Sequence, residues 1–231
     1  ELWITFYDVK QCFDSLWFED CINCMWDNGV RNELLYFVYL LNKRANVQVI
    51  TPFGLSQSFI VNNLVKQGTV LGPMLSSCST DKFSKSGRGH QVGKVFIKPM
   101  AFVDDVADPK KGKQRAIESH SININIQNHK RITFNSDKCE VLKIGKHCQD
   151  GNLRILSKHL NNVEFSKYLG DEINSKGTYH HLINIRVKKA KGTIAELVAL
   201  CKEVHFGSTE INSLLLLYQS VFVPRLIFNC E

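Results

Sequence analysis

The sequence predicts a mixed α and β fold, helical at its carboxyl-terminal end. Three observations carry this. Short apolar runs of strand length alternate with longer amphipathic runs over roughly the first 175 residues, and Gly and Pro punctuate the shorter runs. From about residue 176 only the helical period remains. With 231 residues, 44% hydrophobic and 10% aromatic, the chain has apolar material for one sizeable core or two small ones. The change of character places a boundary between residues 1–175 and 176–231.

Taken in order, "LWITFY" reads as a buried strand and "SLWFEDCINCMWDNG" as a helix ended by Gly29. "NELLYFVYLLNKR" is a second helix with a near-continuous apolar surface. "NVQVITPFG" and "SQSFIVNN" form a hairpin around Pro52 and Gly54. "VGKVFIKPMAFV" and "VAD" flank the acidic pair Asp104 and Asp105, which falls in a tight turn between strands. In "KQRAIESHSININIQNHK", Ile122, Ile124 and Ile126 alternate like a strand, but the length of the stretch favours a helix. "RITFN" and "CEVLKIG" are expected to pair about a turn at Ser136 and Asp137. Beyond residue 176, one helical stripe runs through Leu182, Ile185, Ile194, Leu197, Val198 and Cys201. A second runs through Ile211, Leu214, Leu215, Tyr218, Val221 and Phe222.

Lys and Arg total 29 against 22 Asp and Glu, a formal charge of +7. That balance suits a polyanionic partner, and equally a basic protein with a solvated surface. Arg186, Lys188, Lys189 and Lys191 cluster on one late helix and suggest a basic face. No signal segment precedes the first strand, and the most apolar late run is interrupted by Gln219, Pro224 and Arg225. An intracellular chain without a membrane partner is expected. The opening on Glu1 suggests a piece of something longer. Of eight cysteines, only Cys21 and Cys24 form a close pair, and no second pair completes a zinc site. Their one-turn spacing on an apolar stripe marks them as core thiols.

Asp104 and Asp105 repel one another and lose hydration beside apolar neighbours, a cost that a divalent cation removes. Two solvated aspartates in an exposed turn are the simpler reading of the pair alone. Asp8, at the end of the first strand, shifts the balance, because a sheet brings strand ends together and lets Asp8 and Asp104 share a metal. Between them, "KQGTVLGP" places Gly68 and Gly72 where backbone can approach a bulky ligand, with Gln67 offering an amide.

"FYDVKQCFD", "VKQGTVLGPMLS", "AFVDD", "NSDKCEVLKIG" and "KYLGDEI", in that order over residues 6 to 173, resemble the reverse transcriptase domain of non-LTR (LINE-like) retrotransposons. The resemblance implies a right-hand polymerase palm over 1–175, its ferredoxin-like antiparallel sheet covered by helices on one face. A partial helical thumb over 176–231 would follow, with the fingers and the endonuclease modules of the parent polyprotein missing. It implies an RNA template, a DNA primer and dNTPs as partners, two Mg2+ ions (Mn2+ as substitute), and a nuclear or cytoplasmic location. By the same resemblance Asp8, Asp104 and the Val9 carbonyl hold metal, Asp105 supports them, and Lys138 donates a proton to pyrophosphate. Phe13 guards the sugar 2′ position, Gln67 and Gly68 lie against nucleotide and template, and Tyr168, Leu169 and Gly170 hold the primer end. Arg186, Lys188, Lys189 and Lys191 would track the nucleic-acid backbone. Cys12 stands where the family usually has Ala, and "SSCSTDKFSKSGRGHQVG" lacks the apolar helix pattern that often follows the glycine loop. A catalytically inactive fragment that binds nucleic acid stays open as the alternative. A group II intron maturase is a weaker one.

Overall fold

The computed structural model describes residues 1–10, 12–43, 45–61, 65, 68–86, 89–92, 94–130, 132–145, 152–155, 157–203 and 211–228. Its centre is the strand read first in the sequence, β1 (Leu2–Asp8). Period-two alternation turns Trp3, Thr5 and Tyr7 to one face and Ile4 and Phe6 to the other, so both sides of this strand are packed. The chain then enters a one-turn helix α1 (Cys12–Ser15), α2 (Phe18–Asp27) and α3 (Asn32–Asn42). Gly29 ends α2 at φ +92°, a conformation that favours glycine. Helix α3 fully buries only Val38 and Asn42, leaving Leu34, Phe37 and Leu41 exposed.

The expected hairpin about Pro52 and Gly54 is present as a ribbon. Strand β2 (Ala45–Val47) pairs with β5 (Phe59–Val61), and β3 (Ile50–Thr51) with β4 (Gly54–Leu55). Helix α4 (Gly72–Ser86) follows. Its inward stripe, Leu75, Ser76, Thr80 and Phe83, is half hydroxyl, and the Thr80 hydroxyl donates back to the Ser76 and Ser77 carbonyls at 3.4 and 3.3 Å. A helix is therefore buried where the sequence lacks an apolar period.

Strands β6 (His90–Val92) and β7 (Val95–Ile97) pair with each other, then β8 (Met100–Phe102) turns into β9 (Asp105–Lys111). The ambiguous isoleucine-rich stretch is helix α5 (Lys113–Lys130), followed by β10 (Glu140–Ile144). Short strands β11 (Arg154–Ile155), β12 (Lys158–His159) and β13 (Asn161–Val163) precede a hairpin of β14 (Phe165–Tyr168) and β15 (Asp171–Asn174). Helix α6 (His180–Glu203) and α7 (Ile211–Leu217) lead through a π-helical turn (Tyr218–Phe222) into α8 (Val223–Ile227). Among the described residues no helix is long and apolar enough to cross a membrane.

The main sheet has the order β13-β10-β1-β9-β8, antiparallel except for the β10–β13 pair. Helices cover the face that carries Trp3, Tyr7, Val106 and Val141, where Phe134 packs between Tyr7 and Phe83 at centroid distances of 4.7 and 5.2 Å. The β14–β15 hairpin covers part of the other face, with Tyr168 on Phe6 at 5.8 Å.

The expected pairing of "RITFN" with "CEVLKIG" does not occur. Both segments run along the same edge of β1: Phe134 bridges Val9, and Glu140 lies opposite Phe6. Residues 135–139 bulge out between them, pinned by the Asn135 amide on the Asp8 carbonyl at 2.8 Å. Two short runs joined by a turn read as a hairpin, but here each finds its partner in a third strand.

A polar network is buried between the sheet and α5. Tyr7 Oη lies 2.9 Å from His120 Nδ1, and His120 Nε2 lies 2.7 Å from the Arg154 carbonyl. A carbonyl only accepts, so Nε2 carries a proton, and in the neutral imidazole Nδ1 takes the tyrosine O–H. Burial holds the His120 pKa below its usual 6.5 and pushes the Tyr7 hydroxyl well up. Acidification from 6.5 to about pH 5 should therefore weaken the fold, because the unfolded chain takes up a proton that folded His120 refuses. Urea unfolding of wild type and His120→Gln across that window tests this. The variant should lose part of the pH slope, and identical slopes would remove His120 from the explanation.

Candidate active site

The site forms where β1 ends and β9 begins. Asp8 lies directly opposite Asp105 in the antiparallel register, so their side chains leave the same face of the sheet. Asp104 precedes Asp105 in the β8–β9 turn, whose position is set by the Val9 amide donating to the Asp104 carbonyl at 3.0 Å. The turn has only two residues, Val103 and Asp104, between the paired Phe102 and Asp105. Val103 adopts φ +55°, a left-handed conformation that a β-branched residue resists, so the turn stores strain of order 1–3 kcal/mol. The Cys12 thiol, 2.9 Å from the Ser76 hydroxyl, faces the Val103 carbonyl at 3.8 Å and ties the turn to α1 and α4.

Two cavities meet at Asp8 and Lys138. One, of about 340 Å3, is lined by Asp8, Val9, Lys10, Cys12, Phe13, Asp104, Asn135 and Lys138. The other, of about 500 Å3, runs from Asp8 and Asp105 along Phe6 and Glu140 to Tyr168 on the hairpin. Lys138 Nζ stands 3.4 Å from Asp8 Oδ1. Burial, then the charges of Asp104 and Asp8, raise the Asp105 carboxyl above its ordinary value. Beneath Asp8 its amide donates to the Cys139 sulfur at 3.4 Å, and burial pushes that thiol up to about 12.

Asp8 and Asp104 lining one cavity, with the Val9 backbone beside them, form an oxygen donor set that suits a hard divalent cation. Magnesium takes one or two carboxylates and completes its shell with water and substrate phosphates. Among the described residues no three His, Cys, Asp or Glu side chains gather closely enough to hold a metal by themselves.

Of the other residues singled out in the sequence, Phe13 is half-buried on the wall of the smaller cavity. Gln67 lies outside the described residues. Gly68, exposed at φ +78°, lines neither cavity. Tyr168 lines the larger cavity and its hydroxyl donates to the Met100 carbonyl at 3.5 Å. Leu169 and Gly170 make the two-residue hairpin turn at φ +49° and +89°. Asparagine and glycine favour both positions, so Leu169 is held there against its preference.

Arg186 is a correction. It belongs to the inward stripe of α6, Leu182, Arg186, Ala190, Thr193 and Leu197, and it is buried with its guanidinium paired to Asp171. A cation on a buried stripe needs a counter-charge, and the hairpin supplies it. Lys188, Lys189 and Lys191 are exposed, as are Ile194 and Val198, which the apolar period had turned inward. Lys10 and Asn135 were missed because only the folded end of β1 brings them beside Asp104.

The model of the family described as reverse transcriptase (RNA-dependent DNA polymerase) matches residues 1–173. The chain belongs to the reverse transcriptase family. Solved structures agree on the fold. Apo telomerase from Candida tropicalis, truncated of its C-terminal domain, matches with a TM-score of 0.50 at 14% identity, over 75% of this chain and 34% of that one. Telomerase from Candida tropicalis in complex with a TWJ fragment of telomeric RNA matches with a TM-score of 0.51 at 11% identity, over 100% of this chain and 40% of that one. The chain thus spans about a third to two fifths of the length of these telomerase chains. No curated protein matches it by sequence. Identities this low speak for the fold alone.

Proposed function

We propose that this reverse transcriptase-family chain is the palm, residues 1–175, and the start of the thumb, residues 176–231, of an RNA-directed DNA polymerase of a non-LTR retrotransposon. It would add deoxynucleotides to a DNA primer on an RNA template, inside the cell. The single observation that carries the reading is the convergence of Asp8 and Asp104 on one cavity, with Asp105 directly across from Asp8. Two divalent cations, Mg2+ or Mn2+, held by the Asp8 and Asp104 carboxylates and the Val9 carbonyl, supply Lewis acidity at the reacting phosphate when bound.

The protein's own residues do the rest. Asp105 adds negative charge next to that pair. Lys138, whose Nζ lies 3.4 Å from Asp8 Oδ1, would give its proton to departing pyrophosphate. Phe13 presents an aromatic edge to the nucleotide sugar. Tyr168, Leu169 and Gly170, on a hairpin tied to the sheet through Phe6 and Met100, hold the primer end. Lys188, Lys189 and Lys191 meet backbone phosphates, while Arg186 braces the hairpin. Gln67 and Gly68 belong to the loop expected against nucleotide and template.

The test is extension of a labelled DNA primer annealed to RNA by this chain joined to fingers and a full thumb, with deoxy- and ribonucleotides offered separately. Extension with deoxynucleotides is expected of that protein and little of the 231-residue chain alone, and Phe13→Ala should admit ribonucleotides at least about tenfold better. Primer–template binding without extension under Mg2+ or Mn2+ would instead support a binding fragment. Unchanged sugar selectivity would remove Phe13 as the gate.

A further inference from the structure

The cysteines closest in sequence, Cys21 and Cys24, share the buried face of α2, but the thiol that Cys24 meets comes from another helix. Cys78 of α4 packs against the same core. The Cys24 thiol donates to the Cys78 carbonyl at 2.7 Å, and the two sulfurs are within hydrogen-bonding reach of each other. In sequence the two residues are 54 positions apart. The chain between them carries α3 and the β2–β5 ribbon, so the two cysteines stand at the base of that whole excursion.

The other buried thiols are engaged differently. Cys12 lies on the Ser76 hydroxyl at 2.9 Å, and Cys139 takes the Asp8 amide at 3.4 Å. Cys21 is completely buried. Cys78 is only partly covered, so a dissolved reagent reaches it first, whereas Cys24 is enclosed. Donors stand ready for the charge that thiol exchange develops on Cys24. Asn28 Nδ2 lies 3.4 Å from its sulfur, and the Lys85 ammonium donates to Asn28 Oδ1 at 2.8 Å. Burial pushes the Cys78 thiol up to about 11 and raises that of Cys24. At neutral pH the pair therefore rests as two thiols, and exchange is slow.

We infer that Cys24 and Cys78 form a reversible disulfide site that staples α2 to α4 when the chain meets an oxidising small-molecule disulfide. The inference does not depend on the polymerase reading. The Cys78 thiolate attacks one sulfur of the reagent, whose S–S bond breaks and releases one thiolate. The Cys24 thiolate then attacks the Cys78 sulfur of the mixed disulfide and displaces the second. Two protein thiols lose two protons and two electrons, and the reagent is reduced to two thiols.

Incubation of the full chain with oxidised glutathione under native conditions, followed by alkylation and peptide mapping, tests the assignment. The expected product is one bridge joining the Cys24 and Cys78 peptides, reversed by dithiothreitol. Its Tm should exceed that of the reduced chain by about 5 °C, because the closed loop restricts the unfolded state. Cys78→Ser, a substitution at the partly covered position, should form no such bridge. Because a change at buried Cys24 risks the packing of α2, phenylarsine oxide gives a second measurement on wild type. A trivalent arsenical bridges two adjacent thiols, and one equivalent should shield Cys24 and Cys78 together from alkylation. A bridge mapped to another pair overturns the inference, as does glutathione left on Cys78 as the end product or protection of neither thiol by the arsenical. A Cys24–Cys78 bridge that leaves Tm unchanged or lowers it overturns the stapling.

Discussion

Asp104→Asn is expected to reduce nucleotide incorporation at least about a thousandfold while leaving primer–template affinity nearly unchanged. The substitution keeps the size and the turn geometry, since the Val9 amide bonds to the backbone carbonyl of residue 104 and not to its side chain. What it removes is one of the two carboxylates that share the smaller cavity with Phe13 and Lys138. Stability should move in two directions. Without metal, the variant loses a like charge that crowds Asp105 and Asp8, so its Tm should equal or exceed that of wild type. With Mg2+ or Mn2+ the wild type should gain stability through binding to the folded state, about 1.4 kcal/mol at ten times the dissociation constant, and the variant should gain little. Incorporation at the wild-type rate would sink the metal assignment of Asp104. A metal-induced Tm rise of equal size in both proteins would place the cation elsewhere.

The parts of this fold that were legible in the sequence are those whose signal is local. A strand ending in aspartate, a helix closed by Gly29 and an acidic pair between short apolar runs each need only neighbouring residues to be read. Their order carried the family resemblance as well. Three features were not legible, each for a physical reason. Helix α4 buries Ser76 and Thr80 in place of apolar residues and satisfies the Thr80 hydroxyl on its own carbonyls, so its inward face has no hydrophobic period. Residues 132–144 contain two strand-like runs that choose β1 instead of one another, a choice made by the register of a distant strand. Arg186 reads as one of a basic cluster, yet it sits on the stripe that faces the hairpin and finds Asp171 there. Charge clusters show which residues are basic. The rotation of the helix decides which of them meet solvent.

Asp108→Ala should destabilise the fold by about 3–5 kcal/mol, the largest stability effect expected of a single substitution here. Asp108 and Lys110 both point from β9 into the helix layer, 2% and 4% exposed, and form an ion pair there. The carboxylate also accepts the Ser119 hydroxyl at 2.6 Å and the Asn123 amide at 3.3 Å, both from α5. Removing the aspartate strands an ammonium in the interior and takes an acceptor from Ser119 and Asn123. Replacing both charges, Asp108→Leu with Lys110→Met, removes the buried cation as well, and its cost should be smaller, about 1–2 kcal/mol, set by the orphaned Ser119 and Asn123. Urea unfolding of Asp108→Leu, Lys110→Met and the double variant closes the cycle and isolates the pair's coupling. Single and double variants of equal stability would mean that Lys110 reaches water once its partner is gone, and the interior charge argument would fail. The location gives this pair a bearing on the site, because β9 begins at Asp105 and α5 reaches it through Asp108. Loosening that contact should raise amide exchange along β9, ahead of any change at β13 on the far side of the sheet.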